Sequence, residues 1–334
     1  MKIDYHVHLE EGPYSFRWLE RTTQAITSFD SPAGLEKGSK DFVMWQADML
    51  KSRLDGGCFG SEWLDLYLQQ AKQLGLKEVG IVDHLYRFKE AKSFFVKNMI
   101  LDLNDPIGKL QADWLDKVMT EEINDFTETI LQAKEKWGRE GVELKLVVEA
   151  DFFIGCEDEL ATLLRDQPWD FVIGSVHFVD GWGFDNPETA DVYKTVDLKQ
   201  LYERFFITVE KAIRSGLFDF IAHLDNLKVF NFKVKDEEFN QIWYERIANA
   251  LVETNTATEV NAGLYYRYPV KEMCPGPAFL KVLVERGVEF TVSSDSHFPD
   301  DLGRYTVQNA AMLKELGVKK LAAFDQRMKK YHLL

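Results

Sequence analysis

Six of the seven histidines in this 334-residue chain stand at the end of a short apolar run, and that regularity narrows the folds open to it. The runs are KIDYHVH with His6 and His8, EVGIVDH with His84, FVIGSVH with His177, FDFIAH with His223 and FTVSSDSH with His297. ELKLVVEAD repeats the pattern with Glu149 in the place of histidine. Short apolar or β-branched runs with turn formers beyond them read as buried strands of a parallel sheet. A lone histidine at a strand end is most often a core residue. Metal-type side chains at the ends of six runs ask for a shared centre. The seventh, His332, falls in the C-terminal tail and is expected to have no role.

The strands are expected at 2–7, 78–83, 143–149, 170–176, 218–223, 257–261 and 288–294. Helical spacing between them covers 61–75, 114–137, 198–215, 236–254 and 276–287. Ser61 reads as a helix cap, and Gly75, Gly216 and Gly287 as helix stops. Alternating strands and helices imply a parallel sheet, open or closed, with ligands at the carboxyl ends of its strands. Side chains scattered along an open sheet could not converge on one point, so a barrel is favoured. Two long connections, about 9–60 and 85–113, leave from that end as loop insertions. Neither has the composition of a linker, so one domain is expected over 1–334.

Forty Lys and Arg against 55 Asp and Glu leave a formal charge of −15. A surface so acidic argues against general binding to nucleic acid or to an anionic membrane. No apolar run reaches membrane-spanning length, and the opening MKIDYHVHLEE is too polar for a signal peptide. Cys58, Cys156 and Cys274 are odd in number and far apart, so they form neither a disulfide framework nor a paired-thiolate metal site. The expectation is a reduced, cytoplasmic protein without nucleic-acid or membrane partners; a homo-oligomer stays open.

In Asp4-Tyr5-His6-Val7-His8 the two imidazoles share one face of a strand and can chelate one metal. Asp295-Ser296-His297 supplies a carboxylate and an imidazole in the same way, and Glu149 has two oxygens with which to bridge two cations. His84, His177 and His223 complete a set of nitrogen and oxygen donors without thiolate, which suits Zn²⁺, Mn²⁺ or Fe²⁺. HxH or DxH alone is a weak signal; the whole set in strand-end register is a strong one.

These motifs resemble the PHP (polymerase and histidinol phosphatase) family of metal-dependent phosphoesterases. The matching residues are Asp4-Tyr5-His6-Val7-His8, Val82-Asp83-His84, Glu149-Ala150-Asp151, Gly174-Ser175-Val176-His177, Ala222-His223-Leu224-Asp225 and Ser294-Asp295-Ser296-His297. The resemblance implies a distorted (βα)7 barrel with the metals at the carboxyl ends of its strands. It implies two or three divalent ions (Zn, Mn or Fe). One would be held by His6, His8, Glu149 and Asp295, a second by Glu149, His177 and His223, and a third by His84, His297 and a further histidine. That histidine is missing: Leu9-Glu10-Glu11 follows His8, and Glu10 or Glu11 is the nearest substitute. Asp4 and Asp225 are expected to support ligands or structure.

The loop Gly181–Asp185, the stretch from His223 to Lys228 and the segment from Glu259 to Arg267 are similar to the histidinol-phosphatase branch. That branch implies hydrolysis of L-histidinol phosphate to L-histidinol and phosphate, in histidine synthesis. His297, His84 or Asp83 would protonate the leaving group. Arg267 or Arg304 would hold the phosphate, and Asp185, with Glu10 or Glu11, the basic product. The alternatives are another small phosphate ester, a metal-binding protein without catalysis, and an amidohydrolase-type C–N hydrolase. The last normally carries a bridging lysine where this chain has Glu149.

Overall fold

Parallel strands need crossover helices, and here the alternation of the two wraps the sheet almost into a closed barrel. The computed structural model describes residues 2–10, 12–29, 32 and 34–334. Its strands are β1 (Ile3–His8), β2 (Glu78–His84), β3 (Glu143–Asp151), β4 (Phe171–Ser175), β5 (Phe220–Ile221), β6 (Ala257–Asn261) and β7 (Phe290–Ser293), adjacent in that order. Beyond β7, Ser296 returns to Val7 through a parallel bridge, and the His8 amide donates to the Ser296 carbonyl at 2.7 Å. β5 is shorter than its apolar run. The Asp219 carboxylate accepts the Val172 amide at 2.7 Å before it, and the chain turns away at His223, where φ is 23°.

Between Asp4 and Val7 the β1–β2 register slips, so that Tyr5 and His6 together oppose Gly80. A bulge of this kind re-aims side chains. Tyr5 packs against Phe171 of β4 at 5.1 Å and His6 reaches Glu149 of β3, strands that do not neighbour β1, so both side chains point inward. Gly80 has to be glycine, because a Cβ there would stand 2.8 Å from the Tyr5 carbonyl oxygen and 2.9 Å from the Phe171 ring. The interior is therefore layered, with aromatic rings at the floor and histidines above.

The floor is closed by an element that the sequence reading leaves as tail. Lys320–Asp325 and Met328–Leu333 form an antiparallel hairpin whose buried Phe324 lies 5.5 Å from Phe171 and 5.7 Å from Phe220. The Arg327 amide donates to the Asp170 carbonyl at 2.8 Å, and Lys145 Nζ lies 3.2 Å from Asp325 Oδ1. His332 is thus no loose residue; its Nε2 stands 2.7 Å from Glu78 Oε1.

The two insertions are helical rather than loops. Phe16–Phe29 and Lys40–Gly56 lie in the first; Lys92–Asn98 lies in the second, and Pro106–Val118 begins in it. Ser39 starts the helix at 40 by accepting the Phe42 amide at 3.2 Å. The single helix expected over 114–137 is two, Pro106–Val118 and Ile123–Arg139. Glu121 between them pairs with the turn after β2, its amide donating to Arg87 O at 3.1 Å and its carbonyl accepting from Lys89 N at 2.9 Å. Those bonds override the helical propensity of the segment. Gly60 rather than Ser61 caps the helix Ser61–Leu74, which Gly75 ends at φ 68°. Among the described residues, no helix is long and apolar enough to cross a membrane.

Candidate metal centre

The six strand-end histidines and Glu149 meet at the top of the barrel, all buried. Glu149 organises them. Its Oε2 lies 3.1 Å from His6 Nε2, 3.4 Å from His8 Nε2 and 3.0 Å from His84 Nδ1. Its Oε1 lies 3.1 Å from His223 Nε2 and 3.6 Å from His177 Nε2. Asp295 Oδ1 stands 3.8 Å from His8 Nε2, while the His8 ring is stacked between His84 (4.2 Å) and His297 (4.3 Å). Three groups of donors lie within metal-binding range of one another: His6, His8 and Asp295; His84, Glu149 and His177; His8, His84 and His297. Two of the contributing residues leave the sheet in the left-handed region, His223 at φ 23° and Asp295 at φ 53°. Such backbone strain in non-glycine residues gathers at functional sites.

Three carboxylates behind the donors fix their orientation. His6 Nδ1 is 3.2 Å from each oxygen of Glu259, which also accepts the His223 amide at 3.1 Å and the Ser293 hydroxyl at 2.5 Å. His177 Nδ1 is 2.9 Å from Asp151 Oδ1. Asp4 accepts the amides of Ser294 at 2.9 Å and Gly303 at 2.8 Å, tying β1 to the loop that carries Asp295. Carboxylates behind metal-ligating imidazoles are a recurring arrangement. Glu259 and Asp151 escaped the sequence reading as site residues. Their signal was an acidic side chain set in an apolar strand, ATEVN for Glu259 and the second acid of β3 for Asp151. Asp225, by contrast, holds the buried Lys228 at 2.8 Å, and Lys228 reaches Glu272 at 2.8 Å, an anchor for the chain around Gly276.

The donor set fits a cation. With Nδ1 of His6 and of His177 bonded to carboxylates, the proton belongs there and each Nε2 turns a lone pair inward. His6 Nε2 then faces His8 Nε2 at 2.9 Å, and His177 Nε2 faces His223 Nε2 at 3.3 Å. Two nitrogens bound to one zinc at about 2.0–2.1 Å each are separated by roughly 2.9–3.4 Å, so these pairs are spaced as ligand pairs are. Without a metal the same carboxylates favour protons on the imidazoles, which a bound cation would displace from Nε2. Burial opposes charge on Glu149, yet His6, His84 and His177 outweigh it and hold the carboxyl well below its usual range. Burial also opposes charge on His177, but Asp151 and Glu149 overcome it and push the imidazole up to about 10. The centre attracts positive charge.

A cavity of about 780 Å³ opens above it, lined by His84, Glu149, His177, His223, Asp295 and His297 at its base. Arg267 lines it too, with Nη2 2.8 Å from Asp295 Oδ2 and Nη1 2.9 Å from His297 Nδ1. Gly263 allows that approach, since a Cβ there would meet Asp295 Oδ2 at 2.3 Å and Arg267 Nη2 at 2.8 Å. Asp185 is on the same wall, and burial pushes its carboxyl up against the opposing field of His177.

Three expected residues stand elsewhere, and Glu11 lies outside the described residues. Asp83 is buried and does not line the cavity; it accepts from the His84 amide at 2.8 Å and holds Arg87 Nε at 2.9 Å. Arg304 packs over the Tyr266 ring at 4.6 Å and pairs with Asp301 at 2.6 Å. Glu10 accepts from Trp18 Nε1 and from Arg53 Nη2 at 2.8 Å, so both its oxygens are committed to clamping the first insertion onto β1. Glu10→Gln is therefore expected to cost about 1.5–3 kcal/mol of stability while leaving metal content unchanged. Chemical denaturation set beside elemental analysis checks this; loss of metal without loss of stability would return Glu10 to the ligand set.

The PHP domain model matches residues 58–263. A curated relative, a "probable histidinol-phosphatase" of Deinococcus radiodurans, is 32% identical over 220 residues, 65% of this chain and 80% of the relative. A histidinol phosphate phosphatase from Lactococcus lactis, solved with zinc, L-histidinol and phosphate, superposes with a TM-score of 0.62 at 16% identity and covers 98% of both chains. A histidinol phosphatase candidate from Listeria monocytogenes gives 0.60 at 20% identity over 73% of this chain and 93% of its own. At such identities the two structures speak for the shared barrel.

Proposed function

The chain belongs to the PHP domain family, and we propose that it is a metal-dependent phosphomonoesterase that hydrolyses L-histidinol phosphate to L-histidinol and inorganic phosphate. The observation that carries the chemistry is Glu149, which turns one oxygen to His6, His8 and His84 and the other to His177 and His223. Held there, two or three divalent ions would supply Lewis acidity and acidify water near neutral pH. Zinc, manganese or iron suits the nitrogen and oxygen donors. His6, His8, Glu149 and Asp295 are the proposed ligands of one ion, His177 and His223 join Glu149 on a second, and His84 and His297 serve a third.

The remaining roles belong to side chains of the cavity wall. Arg267, braced by Asp295 and His297, offers its guanidinium to the phosphate, a geometry suited to that anion. Asp185 receives the ammonium of the alcohol portion. His84 and His297 stand on the cavity side, where either, when it does not hold the third ion, would deliver the proton to the leaving oxygen, while Asp83 acts from behind by holding Arg87. All three cysteines are free and buried, in keeping with a reducing cytoplasmic setting.

Comparison of kcat/KM for histidinol phosphate, glycerol phosphate and a nucleoside monophosphate tests the reading. Histidinol phosphate is expected to lead clearly. Equal values for all three would remove the histidinol assignment and leave the phosphoesterase. Arg267→Ala is expected to lower kcat/KM by one to two orders of magnitude, since a charge-assisted contact is worth roughly 1.5–3 kcal/mol. A change of less than about threefold would move the phosphate contact elsewhere.

A further inference from the structure

We infer that Trp114, backed by Tyr86 and flanked by Asp113, is the surface on which the planar ring of the substrate's alcohol portion rests. The inference depends on the histidinol phosphate reading above and names the residues that give it selectivity. It starts from a run of aromatic rings that climbs the cavity wall away from the donors. His84 stacks on Tyr86 at 4.5 Å with the planes 15° apart. Tyr86 meets Trp114 at 4.8 Å and 58°, and Trp114 meets Phe178 at 6.5 Å. All four side chains line the cavity. The indole is therefore two ring contacts from a residue of the metal centre.

Trp114 packs against the core on one side and is only partly buried. Of the eight tryptophans, six are buried, and Trp114 is one of the two that keep exposed surface. Trp45 is the other, and only Trp114 of that pair lines the cavity. An indole face offered to a cavity stacks well on another flat ring, neutral or cationic. The helix Pro106–Val118 also turns Lys109, Asp113 and Lys117 to the cavity, because residues four apart share a helix face. The lysines, one turn to each side, offset the charge of Asp113. The place thus suits a neutral azole that donates one N–H to the carboxylate better than it suits a second ammonium. The ammonium is left to Asp185, a carboxylate on the cavity wall.

The test measures kcat/KM on histidinol phosphate and on glycerol phosphate, which has no ring, for wild type, Trp114→Leu, Trp114→Phe and Asp113→Asn. The preference for histidinol phosphate is expected to fall about tenfold in Trp114→Leu, chiefly through KM, and to return largely in Trp114→Phe, which keeps an aromatic face. Asp113 is exposed, so Asp113→Asn probes the same place without disturbing packing; a fall of about threefold is expected, together with weaker inhibition by free L-histidinol. An unchanged preference in Trp114→Leu, or equal losses on both substrates in Trp114→Leu and Asp113→Asn, overturns the inference while the histidinol assignment stands. A wild-type preference near one overturns the histidinol assignment itself and this inference with it.

Discussion

Glu149→Gln is expected to lower kcat by about 10³-fold or more and to yield protein with fewer bound ions than wild type. The substitution keeps size and shape, so the barrel should fold as before. It removes one of the two oxygens that face the two sets of imidazoles, and whichever way the amide turns, one set meets an NH₂ group instead. The amide carries no charge, and its NH₂ end offers a cation no lone pair where the carboxylate drew one. Glu149 is 1% exposed, and water cannot stand in for the lost oxygen. Elemental analysis and single-substrate kinetics on folded protein decide the matter. Full metal content with normal turnover would falsify the bridging assignment. Partial activity with one ion lost would separate the two ions by function.

What the sequence made legible here followed one rule, that a parallel sheet carries its chemistry at one end. All seven strands and their order came from apolar runs, and the donors came from the residue that ends each run. Two kinds of feature were hidden. The first is tertiary override. Nothing in residues 114–137 breaks a helix, and only the pairing of Glu121 with Arg87 and Lys89 shows why one helix becomes two. The second is choice of partner. Glu10 is as acidic as Glu149 and nearer to His8 in the chain, yet Arg53 and Trp18, from helices invisible in the apolar pattern, claim it. Arg304 and Arg267 read alike as cations near strand ends; their destinies differ because Gly263 opens a path to Asp295 for one, while Asp301 and Tyr266 hold the other. Glu259 and Asp151 act through histidines that lie on other strands, and such pairings have no signature in a single sequence.

Phe324→Ala is expected to cost about 3–5 kcal/mol of stability, the range for removing a buried phenyl ring from a core. The ring is 1% exposed and stacks on Phe220 at 5.7 Å, with Phe171 at 5.5 Å, so its loss opens a void that the strand ends cannot fill without bending. The effect reaches further because Phe324 is the largest apolar anchor of the hairpin, beside the smaller buried Leu321, Ala322 and Ala323, with polar contacts such as Arg327 to Asp170 and Lys145 to Asp325 around them. The polar contacts tie the hairpin at its turn and edge, and the smaller apolar side chains do not fill the volume of the ring. Limited proteolysis should therefore cut the variant within 320–333 before it cuts the barrel. Chemical denaturation gives the energy, and kcat of the folded fraction tells whether floor and centre are coupled. Tyr5 packs on Phe171 in the floor and is followed directly by His6 in the bulge, so a shift of the aromatic layer would be passed to His6. If β1 is held by its pairing with β2 and by the Asp4 bonds to Ser294 and Gly303, turnover of folded protein stays within about twofold of wild type, the expected result. A stability loss below about 1 kcal/mol would mean that the hairpin does not close the floor at all.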